Sequence, residues 1–74
     1  MVNEFLAMFA EILEVEQPLS LDDRLESFDE WDSIAILSLI SDVDDKYGVI
    51  IRSDDLNKMH TVGDVWEFVK QNKK

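Results

Sequence analysis

The sequence predicts an all-α fold, a bundle of three main helices and one short helix with a long ordered loop between helices one and two. Three observations carry this reading. Apolar residues recur at helical spacing in three stretches, no strand-like run has a second one to pair with, and Pro18, Gly48 and Thr61 punctuate the chain where helices stop or start. Seventy-four residues are expected to form one domain, 1–74, near the size where a single core is only marginally stabilising and a wide enzyme cleft has no room.

From Val2 to Val15, Phe5, Leu6, Phe9, Ile12 and Leu13 recur at spacings of three and four, with Glu4, Glu11 and Glu14 on the other side. This is an amphipathic helix, expected to end near Glu16 because Gln17-Pro18 follows and proline disfavours helical geometry before it. Pro18 to Asp32 has no sustained period, and Leu19, Leu21, Leu25, Phe28 and Trp31 are scattered among acids. Those apolar residues predict a loop pinned to the core rather than a disordered one, and a loop of that length implies a function. Trp31 itself reads most simply as packing for the loop.

The second helix is expected from Ser33 to Tyr47, capped by Asp32 at its start and Gly48 at its end. Ile36, Ile40, Val43 and Tyr47 make one stripe, and Ile34, Leu37 and Ser41 lie on a neighbouring face. One helix cannot bury both in so small a domain, so part of the first turns is expected to stay exposed; the pattern equally allows Ile34 and Leu37 to complete the core. Asp42, Asp44 and Asp45 put negative charge on the last turns, where the helix dipole disfavours it. Val49-Ile50-Ile51 reads as an extended connector plugging the core, since three residues without a partner make no sheet. Ser53 then caps a short third helix reaching towards Met59, and the Thr61-x-x-Asp64 capping box opens a fourth, from Val62 to about Gln71, with Val62, Val65, Trp66 and Val69 inward and Asn72-Lys73-Lys74 frayed.

The formal net charge of −10 argues against binding a phosphate backbone and towards basic protein partners. Up to Asp45 the only basic residue is Arg24, so the acidic half of the chain holds Ser33. With no cysteine, the chain has neither a disulfide framework nor a protein thiol for nucleophilic work. No secretory leader or membrane span is read in the sequence, and a soluble cytoplasmic monomer is expected. His60 stands alone and reads as a surface histidine; Asp42, Asp44 and Asp45 before Gly48 fail the calcium-loop spacing, because Ser53 stands where the bidentate glutamate belongs. No metal site is expected. The acid pairs Asp22-Asp23, Asp29-Glu30 and Asp54-Asp55 read as solvated surface.

Ser33 remains. It lies in the first turn of a helix capped by Asp32, where unpaired backbone N–H groups favour an anion, so its hydroxyl suits a phosphate-linked group. The run Trp31-Asp32-Ser33-Ile34 resembles the Asp-Ser-Leu attachment motif of the acyl carrier protein family, with isoleucine for leucine. The acidic loop before it, the helix to Tyr47-Gly48, the Val49-Ile50-Ile51 connector, the Asp54-Asp55 turn and the Thr61-Val62 helix start follow in family order, so the resemblance covers nearly the whole chain.

That resemblance implies a four-helix carrier rather than an enzyme, with 4′-phosphopantetheine from coenzyme A attached to Ser33 by a phosphopantetheinyl transferase, and acyl groups held as thioesters on the arm. It further implies docking of basic partner enzymes, those that load, elongate or transfer the acyl group, on helix two through Ile34, Leu37, Ser38, Ser41, Asp44 and Asp45. The pathway implied is one of fatty-acid, polyketide or related specialised biosynthesis; Ala35 and Ser38 stand where fatty-acid-synthesis carriers usually have acids, and Arg52 replaces a common proline, which suggests a specialised pathway rather than housekeeping fatty-acid synthesis. Glu30-Trp31 stands where peptidyl carriers often have Gly-Gly, which argues against a peptide-synthetase module. The competing reading is an unmodified acidic interaction module; a hydrolase using Ser33 lacks a sequence-near base.

Overall fold

A computed structural model of the chain describes residues 2–16 and 19–73. Four helices occur in the order α1 (Val2–Leu13), α2 (Ser33–Tyr47), α3 (Ser53–Asn57) and α4 (Val62–Asn72). Among the described residues the one β-type pairing is an isolated bridge between Arg24 and Thr61.

The first helix ends at Leu13, short of the expected Glu16. Glu14 turns into the left-handed region at φ 56°, its N–H donating to Glu11 O at 3.2 Å while the Val15 N–H donates to Ala10 O at 3.1 Å. These paired bonds are a Schellman ending with glutamate where glycine would be unstrained. Termination is therefore already complete before Gln17-Pro18, which lies outside the described residues. Phe5, Met8, Phe9 and Leu13 form the buried stripe, with Leu6 and Ile12 half-buried at its margins.

The loop between α1 and α2 carries one 3₁₀ turn, Leu25–Ser27, where none was expected, and it is tied to the start of α4. The Leu25 N–H donates to His60 O at 2.9 Å, the Val62 N–H to Asp23 O at 2.9 Å and the Gly63 N–H to Leu21 O at 2.8 Å. The loop thus satisfies amides that α4 cannot satisfy internally. Leu19 and Leu25 are buried, so both apolar anchoring and backbone bonding hold it in place.

Gly63 permits the closest of these approaches. A Cβ at this position would sit 2.9 Å from Leu21 O and 3.3 Å from Leu21 Cβ, against backbone that cannot swing aside. Helix propensity alone would favour Gly63→Ala by up to about 1 kcal/mol, but the overlap is expected to reverse the sign and lower stability by about 1–3 kcal/mol. Urea melts of the two proteins check this, with a lower midpoint expected for the alanine variant.

In α2 the buried stripe is Ala35, Leu39 and Val43, with Ile36, Ile40 and Tyr47 half-buried beside it. The stripe expected from Ile36, Ile40 and Tyr47 was therefore displaced: small Ala35 allows close approach to the core, and Leu39 rather than Ile40 points into its centre. Ile34 and Leu37 are 75% and 66% exposed, which settles the ambiguity in favour of exposure. Tyr47 packs against Phe5 and Trp66, with ring centroids 6.4 and 6.2 Å away, and Lys73 Nζ lies 5.8 Å from the Tyr47 ring centroid. Burial, with the Glu4 carboxylate second, pushes the Tyr47 hydroxyl above its ordinary range.

Extended geometry places Val49 and Ile51 in the core and leaves Ile50 72% exposed, the period of two that makes this connector a plug. Ser53 is the first residue of α3 and not its cap; Arg52 holds that position, and its guanidinium has no lone pair to accept a bond. Asp55 Oδ2 instead accepts from the Arg52 N–H at 3.1 Å. The helix stops at Asn57, two residues short of Met59. At the other end of the chain α4 runs one residue beyond Gln71, its Asn72 Nδ2 donating to Phe68 O at 2.8 Å. Lys74 lies outside the described residues.

Candidate functional site

Ser33 is delivered by a succession of tight turns. The Phe28 N–H donates to Leu25 O, the Trp31 N–H to Phe28 O and the Asp32 N–H to Glu30 O, at 3.2, 3.1 and 2.9 Å. Trp31 pins this segment by stacking on Phe9, ring centroids 5.7 Å apart at 31°. Packing the loop is therefore a role Trp31 has.

Asp32 is extended (φ −131°, ψ −170°), and its Oδ1 accepts from the Ala35 N–H at 3.0 Å. The Ile36 N–H makes the first intrahelical bond, to Asp32 O at 2.9 Å. With Ala35 and Ile36 engaged, the amides of Ser33 and Ile34 precede the first helical bond and face the N-terminal end, where partial positive charge accumulates. Ser33 is exposed as the first helical residue. Because Asp32 supplies the cap, the serine hydroxyl is not required for one. An exposed hydroxyl beside two helix-terminal amides suits a phosphodiester, which needs access for the enzyme that installs it and donors for its oxygens.

At about 100° per residue, positions 34, 37, 38, 41, 44 and 45 fall within one arc of about 120° on α2. Their side chains are not equivalent. Ile34, Leu37, Ser38 and Ser41 line an open groove against the C-terminal half of α1, with Glu11, Ile12, Glu14 and Asp42 on its other walls. Asp44 and Asp45 are exposed further along α2 and do not line this groove. A smaller recess formed by Ile12, Glu14, Glu30, Asp32, Ile34 and Ala35 continues it towards Ser33.

Ala35 is 4% exposed, so its departure from an acid is a matter of packing and removes no charge from the outer surface. Sequence reasoning assigned Glu11 and Glu14 to a general polar face. Only the docking of α1 on α2 shows that this face rims the groove.

His60 is exposed, and its N–H, together with that of Thr61, donates to Asp64 Oδ2 at 2.9 and 3.2 Å; Thr61 Oγ1 accepts from the Asp64 N–H at 3.1 Å. The His60 amide first, then the Thr61 bonds, hold the Asp64 carboxyl below its ordinary 3.8. A depressed folded value means that this stabilisation is present at neutral pH and is lost as pH falls through the folded value. Asp64→Ala is accordingly expected to melt lower than the parent at neutral pH, with the gap shrinking below about pH 4. A gap that stays constant down to acid pH would contradict it.

Among the described residues there is no cluster of three or more histidine, cysteine or acidic side chains suited to a metal, and no helix long and apolar enough to cross a membrane.

Comparison with known proteins agrees with this geometry. A family model described as "Phosphopantetheine attachment site" matches residues 3–69. An acyl carrier protein from Arthrobacter sp. (strain FB24) is 31% identical over 72 residues, covering 90% of this chain and 89% of that protein. Another, from Lactobacillus johnsonii, is 28% identical over 71 residues, covering 95% and 89%. In fold, the chain is similar to the solution NMR structure of the holo acyl carrier protein from Geobacter metallireducens, with a TM-score of 0.79 at 21% identity over 96% of this chain and 83% of that one.

The chain belongs to the phosphopantetheine-bearing acyl carrier protein family. It is a carrier and not an enzyme, and its cofactor is a covalently attached phosphopantetheine arm.

Proposed function

We propose that Ser33 is the residue that bears the arm, and that the single domain 1–74 presents acyl groups on it to the enzymes of a fatty-acid, polyketide or related specialised biosynthetic pathway. The observation that carries the assignment is the separation of roles at the start of α2: Asp32 caps the helix at 3.0 Å, leaving an exposed Ser33 hydroxyl free for modification. In loading, Ser33 Oγ would form a bond to the phosphorus that carries the pantetheine of coenzyme A. The pyrophosphate P–O bond breaks, 3′,5′-ADP leaves and the hydroxyl proton passes to the transferase. The bound arm supplies a terminal thiol, which this cysteine-free chain lacks, for thioester formation.

The chain's own residues hold the serine at the helix end and offer two amides to the phosphodiester. The partners are the phosphopantetheinyl transferase and enzymes that load, extend or transfer the acyl group, meeting α2 through Ile34 and Leu37, with Ser38 and Ser41 beside them and Asp44 and Asp45 further along. Uncharged Ser38, half-buried in the groove, and exposed Ser41 favour a specialised pathway. A cytoplasmic setting follows from the use of coenzyme A as donor.

Incubation with coenzyme A and a broad-specificity phosphopantetheinyl transferase tests the reading. Intact-mass measurement should show a single arm added per chain; an unchanged mass would favour the unmodified interaction module instead.

A further inference from the structure

We propose that the docking surface is a groove between α1 and α2 in which two of the three acids come from the end of α1: Glu11, Glu14 in the turn that closes the helix, and Asp42 of α2 rim the exposed apolar pair Ile34 and Leu37. The occupant is the phosphopantetheinyl transferase that loads the arm, and the acidic rim around an apolar centre calls for a surface on it that presents an apolar side chain flanked by lysine or arginine. Choosing the transferase as occupant rests on the carrier reading above.

Two large apolar side chains left 75% and 66% exposed side by side on one helix are a contact patch that water alone does not favour. A partner reaching that patch near Ser33 would find hydroxyls at the next positions on that side of α2, half-buried Ser38 and exposed Ser41. Of the acids that could steer it there, Asp42 lies about two turns further along α2 and Glu11 and Glu14 come from across the groove. Glu11 and Glu14 line the same walls as Ile34 and Leu37, and Glu14 also borders the recess that leads to Asp32.

The ending of α1 fixes the two glutamates relative to one another. The Glu14 N–H donates to Glu11 O at 3.2 Å, and the second bond, from the Val15 N–H to Ala10 O at 3.1 Å, prevents the helix from unwinding past them. Glutamate sits at φ 56°, where glycine would be unstrained, so the side chain is held at the groove mouth by a turn that does not favour it.

Charge selects among occupants. None of the residues lining the groove is basic, and Arg24 and Lys70 are engaged elsewhere, with Glu26 at 3.1 Å and Glu67 at 3.2 Å. A second copy of this chain, with net charge −10, would bring like charge to an acidic rim. A basic partner meets complementary potential at the rim and an apolar contact at the centre, the usual arrangement of a transient interface.

The test is direct binding of the chain to an immobilised phosphopantetheinyl transferase, with Ser33→Ala as the parent so that no transfer occurs during the measurement. Added to that parent, Glu11→Gln with Glu14→Gln should weaken binding roughly three- to tenfold at low salt, through slower association, and the difference should disappear at high salt. Asp22→Asn with Asp54→Asn removes the same charge outside the groove and should change affinity less than about twofold. Leu37→Ala should weaken binding at both salt concentrations.

Equal effects of the two charge pairs would mean that total charge steers the partner and would overturn the proposal, as would unchanged affinity in the Glu11/Glu14 pair or no binding at all. If binding follows the expected pattern while the chain with Ser33 intact takes up no arm, the groove stands and the carrier assignment of Ser33 falls.

Discussion

Ser33→Ala is expected to abolish loading of the phosphopantetheine arm while leaving the fold almost untouched. The alanine variant loses the oxygen to which the phosphodiester would be joined, so the effect on loading is a complete loss and not a slowing. Its structural cost is small because the helix cap belongs to Asp32, whose Oδ1 accepts from the Ala35 N–H at 3.0 Å, and because the Ser33 side chain is exposed. A surface substitution of this kind falls within about 0.5 kcal/mol of the parent. Circular dichroism and a thermal melt establish that the variant is folded, and intact mass after incubation with coenzyme A and the transferase reads the loading. An arm on the folded variant would assign attachment to another residue.

Phe9→Ala should have a different profile, a large loss of stability with the Ser33 hydroxyl itself untouched. Phe9 is fully buried, meets Phe5 edge-on with ring centroids 5.8 Å apart, and stacks on Trp31 at 5.7 Å. Removing such a ring from a close-packed core costs about 3–5 kcal/mol through lost transfer energy and the cavity left behind. A chain of this size has few kcal/mol to lose, since native stability runs at about 0.05–0.15 kcal/mol per residue. The variant should therefore populate unfolded forms at room temperature.

Through Trp31 the damage also reaches the turns that deliver Asp32, so loading should slow even in the fraction that remains folded. Urea denaturation followed by tryptophan fluorescence checks the stability term. Ile50→Ala at a 72% exposed site is the matching control and should shift the midpoint little. Equal midpoints for the two variants would contradict the assignment of Phe9 to the core.

Element boundaries were legible where side chains of the right type sit at the ends. Asp32 and Gly48 bracket α2 at Ser33 and Tyr47, and the Thr61–Asp64 box opens α4 at Val62, each with hydrogen bonds in place. Where the local chemistry was unusual the reading slipped. The end of α1 uses Glu14 in a left-handed position normally taken by glycine, so no residue type announces it, and the stop signal visible in the sequence is the later Pro18.

In α2, periodicity favoured the larger isoleucines over Ala35 and Leu39, because hydropathy carries no information about how closely two helices approach. The 3₁₀ turn at Leu25–Ser27 has no period of its own; its neighbourhood is set by backbone bonds to His60, Val62 and Gly63, which are distant in sequence.

The candidate site divides along the same line. Ser33 and its cap follow from one contiguous stretch and are readable there, whereas the exposure of Ile34 and Leu37 is left open by the pattern and decided by the fold. The groove does not follow from one stretch, because two of its three acids, Glu11 and Glu14, come from the end of α1 and meet α2 only after folding. Ala35 shows the converse: a position that looked like a missing surface charge is a core contact once the helix is seated.

The central claim is that Ser33 carries the arm. Fragment mapping by tandem mass spectrometry of the loaded, otherwise unaltered chain tests it most directly. The account predicts that the added mass resides on Ser33 alone. Finding it on Ser38, Ser41 or any other residue would contradict the account.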